Sequence, residues 1–329
     1  MTAGLAVNIV LPVKRKTVSD GSHPTYRKKK RRITMAQLGF IGLGIMGKPM
    51  VGHLLDAGHT VHIYDVETAP VKELVAKGAV PCGSSKEAAQ KSDITIIMVP
   101  DTPDVEAVLF GKDGVAEGVK SGSIVVDMSS ISPIDTKEFA QKLASQGVKM
   151  LDAPVSGGQV GAENATLSIM VGGEDEVFEQ IKPYFEIMGK NIVHVGGNGD
   201  GQTCKVANQI VVALTIEAVS EALLFASKAG ADPRKVREAL LGGFAQSRIL
   251  DLHGERMIGR NFKPGFRIRL HQKDLNLALQ GARALGLSLP GTAIAQELFN
   301  AVSAQGNVDL DHSAMLLALE TLASHKVSE

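Results

Sequence analysis

The run Gly42-Leu43-Gly44-Ile45-Met46-Gly47 limits what this 329-residue chain can fold into more than any other segment, because it joins the apolar stretch Leu38 to Ile41 to a stretch of helical character. In a G-x-G-x-x-G at a strand-to-helix turn, each glycine removes a steric obstacle. Gly42 allows the tight turn, Gly44 lets a pyrophosphate approach the backbone, and Gly47 lets the helix pack on the strand. The helix N-terminus then offers unpaired N–H groups and the positive end of its dipole to phosphates. Glycines also punctuate ordinary turns, so the motif takes its meaning from the residues downstream. A helix over Lys48 to Ala57, closed by Gly58, and a strand over Thr60 to Tyr64 deliver Asp65 eighteen positions after Gly47. Alone, Asp65 would read as a solvated strand-end acid; after this motif the stronger reading is an acceptor for ribose hydroxyls. Val66 and Glu67 offer no cation for a 2′-phosphate, so NAD is preferred and NADP stays possible.

From Met35 to about Val195, β-rich segments alternate with helical ones. Ile94 to Val99 and Ile124 to Asp127 are near-continuous apolar runs suited to central parallel strands. Pro103 opens one helix, and Ser132-Pro133 supplies an N-cap and a first-turn proline for another. Further strands are expected at Lys149 to Asp152, Ser168 to Val171 and Ile192 to Val195, giving a doubly wound sheet covered on both faces. From Gln202 to Ala229 no strong breaker interrupts helical spacing, which predicts one helix of roughly 40 Å linking two domains. Beyond it, Pro233, Gly242-Gly243, Pro264-Gly265 and Leu289-Pro290-Gly291 punctuate an Ala- and Leu-rich region that reads as all-helical. The expected division is an N-terminal extension over 1–34, a dinucleotide-binding domain over 35–196, and a helical domain over 197–329 that includes the linking helix.

A hydrophobic content of 44% with 21% charged residues is that of a globular protein with real cores. Glu217 and Glu221 interrupt the most apolar helix, Ile210 to Ala226, which argues against a bilayer span. Two cysteines, Cys82 and Cys204, make no disulfide framework and favour a reducing compartment, so a cytoplasmic location is expected. Nine histidines lie without ligand spacing, so no metal is expected. Residues 1–34 hold nine Lys or Arg and one acid, leaving 26 basic and 34 acidic residues in the remainder, a net charge of −8. The run Arg27 to Arg32 fits a nucleic-acid-binding tail or an organelle presequence, but it lacks an apolar region and its charges repel. The preferred reading is a disordered extension preceding a start at Met35.

Three clusters carry chemistry. In Asp152-Ala153-Pro154-Val155-Ser156-Gly157-Gly158, a strand ends in a hydroxyl and two glycines whose N–H groups suit a small carboxylate. A plain β-turn is the alternative, and the position at the carboxyl edge of the sheet favours a site. In Gly199 to Asn208, Lys205 and Asn208 are three apart on one helix face. A carbonyl reduced by hydride develops negative charge on oxygen, which an ammonium stabilises and protonates while an amide orients it. A lysine of ordinary pKa is a reluctant acid, so partial burial is expected; a surface lysine is the default without the other clusters. In Phe262 to Leu275, Phe266 and Leu270 are expected to pack as core. Lys273 could reach a cofactor or merely pair with Asp274, and the residues leave these even. Other chemistries fit less well. The only Tyr-x-x-x-Lys is Tyr26 to Lys30, before the fold begins, and no G-x-S-x-G is present.

Gly39 to Met50, Asp152 to Gly158, Gly199 to Asn208 and Phe262 to Leu275, in this order and spacing, resemble the β-hydroxyacid dehydrogenase family from Met35 to the C-terminus. The resemblance implies a Rossmann domain followed by an all-α domain, assembled as dimers or tetramers that share the helical part. It puts the catalytic lysine on Lys205, its partner amide on Asn208, and the substrate-carboxylate motif on Ser156, Gly157 and Gly158. Leu43, Ile45 and Met46 of the glycine loop, with Val99, Pro100, Asp104 and Ser130, would line the nucleotide, and Lys273 is the cofactor-side lysine. The implied reaction is reduction of tartronate semialdehyde to D-glycerate. The stretches Phe262 to Ile268 and Asp311 to Ala314 favour it over 3-hydroxyisobutyrate oxidation. Chromatin-associated relatives with basic segments have lost the lysine, and retention of Lys205 with Asn208 argues for an enzyme. Val66 departs from the Arg that many relatives carry there, and the basic tail is a second departure.

Overall fold

The computed structural model describes residues 35–328, so the basic extension over 1–34 lies outside the described residues. The strands are β1 (Gln37–Ile41), β2 (Thr60–Tyr64), β3 (Val80–Pro81), β4 (Ile94–Ile97), β5 (Ile124–Asp127), β6 (Lys149–Asp152), β7 (Val155–Ser156), β8 (Leu167–Gly172) and β9 (Gly189–Gly196). Between them run α1 (Gly47–Asp56), α2 (Thr68–Val75), α3 (Ser85–Gln90), α4 (Thr102–Phe110), α5 (Pro133–Ala144), α6 (Gly158–Glu163) and α7 (Asp175–Met188). After β9 come α8 (Asp200–Lys228), α9 (Pro233–Leu241), α10 (Arg248–Ile258), α11 (Ile268–Ala284), α12 (Pro290–Ala304) and α13 (Leu316–Ala323).

The sheet order is β3-β2-β1-β4-β5-β6-β8-β7, with β9 against β8. Strands β3 to β6 in that order are parallel. The chain runs outward from β1 to β3, then returns to β4 on the other side, so a crevice opens above the carboxyl ends of β1 and β4. Period-two alternation sends neighbouring apolar residues to opposite faces. Phe40, Ile96 and Val126 enter one core, while Ile41, Ile97 and Val125 enter the other. This is the α/β doubly wound architecture expected from the alternation, followed by helices joined through α8. One side departs from the parallel pattern: β8 pairs antiparallel with both β6 and β7.

The predicted caps form. Ser132 Oγ accepts from the Asp135 N–H, and Pro133 starts α5. Gly58 adopts φ +90° after α1. Helix α8 spans 29 residues and starts at Asp200 because Gly199, at φ +86°, turns the chain into it. By length and composition α8 could cross a bilayer, with a mean hydropathy of 1.9 over 18 residues, despite Glu217 and Glu221. It packs instead against α10, α11, α12 and α13, and its Ile216 and Leu223 join Leu250, Phe299 and Met315 in a second core. The expectation that Phe266 and Leu270 pack as core fails: both are only partly buried, and Ile268 is the buried residue. Helix α11 begins at Ile268, so Phe266 precedes it and the i, i+4 relation never forms.

Candidate active site

At the carboxyl end of β1, Gly42 has φ +93° and its N–H donates to Tyr64 O at 3.1 Å, locking the glycine loop onto β2. A Cβ on Gly42 would lie 2.2 Å from Met98 O, and one on Gly47 would lie 1.9 Å from Gly42 O. Both glycines are therefore required by the protein itself. Gly44 differs: a Cβ there meets nothing within 4 Å, so its face is open for a ligand rather than closed by packing. Met46 precedes α1 with no side-chain cap bond, leaving that helix end available to phosphate. Asp65 stands at the exit of β2 beside this loop, accepting from Leu43 N–H at 2.5 Å and Glu67 N–H at 2.7 Å. Together, the open glycine face, the uncapped helix end and the strand-end carboxylate fit a dinucleotide.

The loops after β4 and β5 close the crevice. Val99 N–H donates to Ser129 Oγ at 3.0 Å. Asp104 has a local task, since its side chain accepts from Asp101 N–H in the capping box of α4. Lys273, on α11 of the helical domain, reaches across to donate to Pro100 O at 3.1 Å and to Ser130 O, and it pairs with Asp274 at 3.0 Å. The pairing with Asp274 is therefore present, and the same ammonium stands at the loops after β4 and β5. Ser130 is engaged through its carbonyl.

Lys205 is buried on the first turns of α8, with 6% exposure. Its Nζ donates to Gln209 Oε1 at 3.1 Å, and Asn208 Nδ2 donates to the same oxygen at 2.7 Å. Gln209 Nε2 in turn donates to Asp274 Oδ2 at 2.5 Å. The Lys205 pKa is pushed down to about 8; burial is the main cause, Asp274 opposes it and Lys273 adds to it. An ammonium of that acidity gives up a proton near neutral pH far more readily than a free lysine.

Several residues around Lys205 make contacts that the sequence does not announce. Gln209 and Asp274 set Lys205 in place. Gln202 Oε1 accepts from Ile131 N–H at 3.1 Å, and its Nε2 donates to Ser129 O at 2.8 Å, tying α8 to the loop after β5. Asp152 is buried at the end of β6 and accepts from the N–H groups of Gly199 and Gln202, anchoring the start of α8. Burial raises its pKa. Its register partner Asp127 is fully buried and pushed up to about 6, again by burial, with Ser129 opposing and Asp152 adding.

Ser156 ends β7, with Gly157 at φ +131° and Gly158 at φ +59°. In place of the plain β-turn weighed as the alternative, a two-residue strand leads through Gly157 into α6. A Cβ on Gly158 would sit 3.3 Å from Gly265 O, so this motif lies against the Phe262 to Leu275 segment. Histidines that look scattered in the sequence also meet: His253, Asp311 and His312 bring ligand-type atoms within 4.8 Å of one another. Arg256 lies 3.0 Å from Asp311 and balances its charge, which disfavours a metal cation there.

Comparison with known proteins places two families end to end on this chain. The NAD binding domain of 6-phosphogluconate dehydrogenase matches residues 37–196. The NAD-binding domain of NADP-dependent 3-hydroxyisobutyrate dehydrogenase matches residues 199–319. The chain is similar to 2-hydroxy-3-oxopropionate reductase of Escherichia coli, with 62% identity over 89% of this chain and 100% of that protein. It is 35% identical to 3-hydroxyisobutyrate dehydrogenase of Pseudomonas aeruginosa, over 85% of this chain and 96% of the relative. Among solved structures, Mycobacterium tuberculosis 3-hydroxyisobutyrate dehydrogenase with L-serine superposes with a TM-score of 0.80 at 32% identity, over 87% of this chain and 99% of that one.

Proposed function

We infer, from the premise that this chain belongs to the β-hydroxyacid dehydrogenase (3-hydroxyisobutyrate dehydrogenase-like) family, that it is an NAD(P)-dependent oxidoreductase acting as a 2-hydroxy-3-oxopropionate reductase. The substrate is tartronate semialdehyde and the product D-glycerate. The observation that carries this reading is a buried lysine of lowered pKa, within a chain 62% identical to a reductase of that substrate.

The chemistry that a reduced nicotinamide supplies when bound is hydride transfer to the aldehyde carbon. In this reading the glycine loop from Gly42 to Gly47 and the end of α1 hold the pyrophosphate, and Asp65 takes the adenosine ribose, which favours NAD. Lys205 donates its proton to the oxygen that becomes the new hydroxyl. Asn208 orients that oxygen, its own amide fixed by Gln209. Ser156 and the Gly157 and Gly158 N–H groups hold the carboxylate. The order of the elements supports the arrangement, since the loops after β1, β2, β4 and β5 all meet at one sheet edge facing α8 and α11.

A homodimer or homotetramer built through the helical domain belongs to the same reading. Val211 and Phe225 on α8 are 65% and 76% exposed, although among the described residues α8 is the one helix long and apolar enough to cross a bilayer. A cytoplasmic site goes with the two unpaired thiols.

Lys205→Ala tests the assignment. General acid catalysis is worth roughly 10²- to 10⁴-fold, so kcat should fall by that range while NADH affinity changes by less than about twofold. Near-normal turnover in this variant would remove Lys205 from the role.

A further inference from the structure

His271 Nε2 lies 3.2 Å from the main-chain oxygen of Gln209, His271 Nδ1 lies 2.9 Å from His312 Nδ1, and His312 Nε2 lies 3.1 Å from His253 Nε2. A carbonyl only accepts, so His271 must carry its hydrogen on Nε2. In a neutral ring Nδ1 is then bare and accepts from His312 Nδ1–H. His312 Nε2 is bare in turn and accepts from His253 Nε2–H. Three neutral imidazoles thus have one consistent set of tautomers, with every hydrogen pointing towards Gln209. Burial keeps all three rings neutral, His271 being pushed down to about 4. Asp274 and Lys205 face His271, and Arg256 faces His253 and His312. At the far end His253 Nδ1 is buried without a hydrogen-bond partner, 3.6 Å from Asp311 Oδ1. Asp311 is itself fixed by Gly265, Phe266, Ser313 and Arg256.

We infer that His271, His312 and His253 form a hydrogen-bonded column that positions Lys205 by gripping Gln209. Helix α11 holds Gln209 at both ends: His271 takes its main-chain oxygen, and Asp274, one turn along the same helix face, takes its side-chain nitrogen. The side-chain oxygen is thereby aimed at Lys205 Nζ and Asn208 Nδ2. The histidines are positioning residues, since none of them bonds Lys205. The column extends the grip from α11 through the segment following Asp311, 41 positions on, and back to α10, the helix before α11. This inference rests on the reading of Lys205 as proton donor.

The test compares His271→Leu, which cannot donate to Gln209, with His271→Gln, whose amide can. Lys205 is titrated in each full-length protein by NMR of ¹⁵N-labelled lysine, and kcat and KM are measured against pH. Loss of the anchored acceptor destabilises the charged form. The Lys205 titration and the basic limb of kcat should therefore move to lower pH by roughly half a unit or more in His271→Leu. On the same grounds kcat should drop about tenfold with KM nearly unchanged, and His271→Gln should restore most of both. His253→Leu should give a smaller shift of the same sign. An unchanged Lys205 titration in His271→Leu, or equal impairment in the Leu and Gln variants, would overturn the column's positioning role. If the wild type itself reduced no semialdehyde, the functional reading would fail while the NMR titration still decided the column.

Discussion

Lys205 sits where an ammonium is least comfortable, buried with Lys273 close enough to lower its pKa and only Asp274 nearby in compensation. Under the proposed function its protonation state is the variable controlling the two directions of reaction, reduction using the ammonium and oxidation the free amine. As pH rises through about 8, kcat for reduction should fall and kcat for the reverse oxidation should rise, which paired pH profiles would reveal. A reduction limb near the ordinary lysine value would contradict the effect of burial. The residues legible from the sequence are those with local signatures: Gly42, Gly44, Gly47, Asp65, and the Lys205 and Asn208 pair. Gln209 and Asp274 are not, because their contact spans 65 positions and a buried amide has no pattern of its own. Gln202, whose partners lie 71 and 73 positions away, is hidden for the same reason.

Among the elements, the β1–α1 unit shows how closely a short motif can dictate geometry. The helix can start at Gly47 only because that residue has no Cβ, which would stand 1.9 Å from Gly42 O. Gly47→Ala should therefore lower stability by about 1–3 kcal/mol through forced backbone displacement, read as a lower thermal midpoint together with weaker NADH binding. A Gly44→Ala variant, with open space around the added methyl, should keep the midpoint and lose only NADH affinity. Strands of four or more residues announce themselves. The two-residue strands β3 and β7 do not, because periodicity needs more positions than they have. Phe266 misleads for a related reason: its helical spacing to Leu270 runs across a boundary that the chain places at Ile268.

On the scale of the molecule, the site belongs to neither half alone. Lys273 bridges from α11 to the loops after β4 and β5, and Gln202 does the same from α8. Buried polar groups on both sides of this junction also set the response to acid. His271, His312 and His253 bind protons less readily folded than unfolded, so their contribution is full above the ordinary histidine range and is lost as pH falls. Asp127 and Asp152, raised by burial, act with the opposite sign, holding protons more tightly when folded. Free imidazoles titrate near 6.5, so the histidine loss accrues across pH 7 to 5, whereas Asp127 takes its proton only below about 6, and the urea midpoint should decline from pH 7 to pH 5. A flat or rising midpoint would mean that the histidines are not neutral in the folded chain. Fold, site and proton donor all bear on one comparison, kcat/KM for NADH-dependent reduction of tartronate semialdehyde and of methylmalonate semialdehyde on the same purified protein. A clear preference for tartronate semialdehyde is the predicted result. A preference for the methyl-bearing substrate would contradict the proposed function and make the chain a 3-hydroxyisobutyrate dehydrogenase.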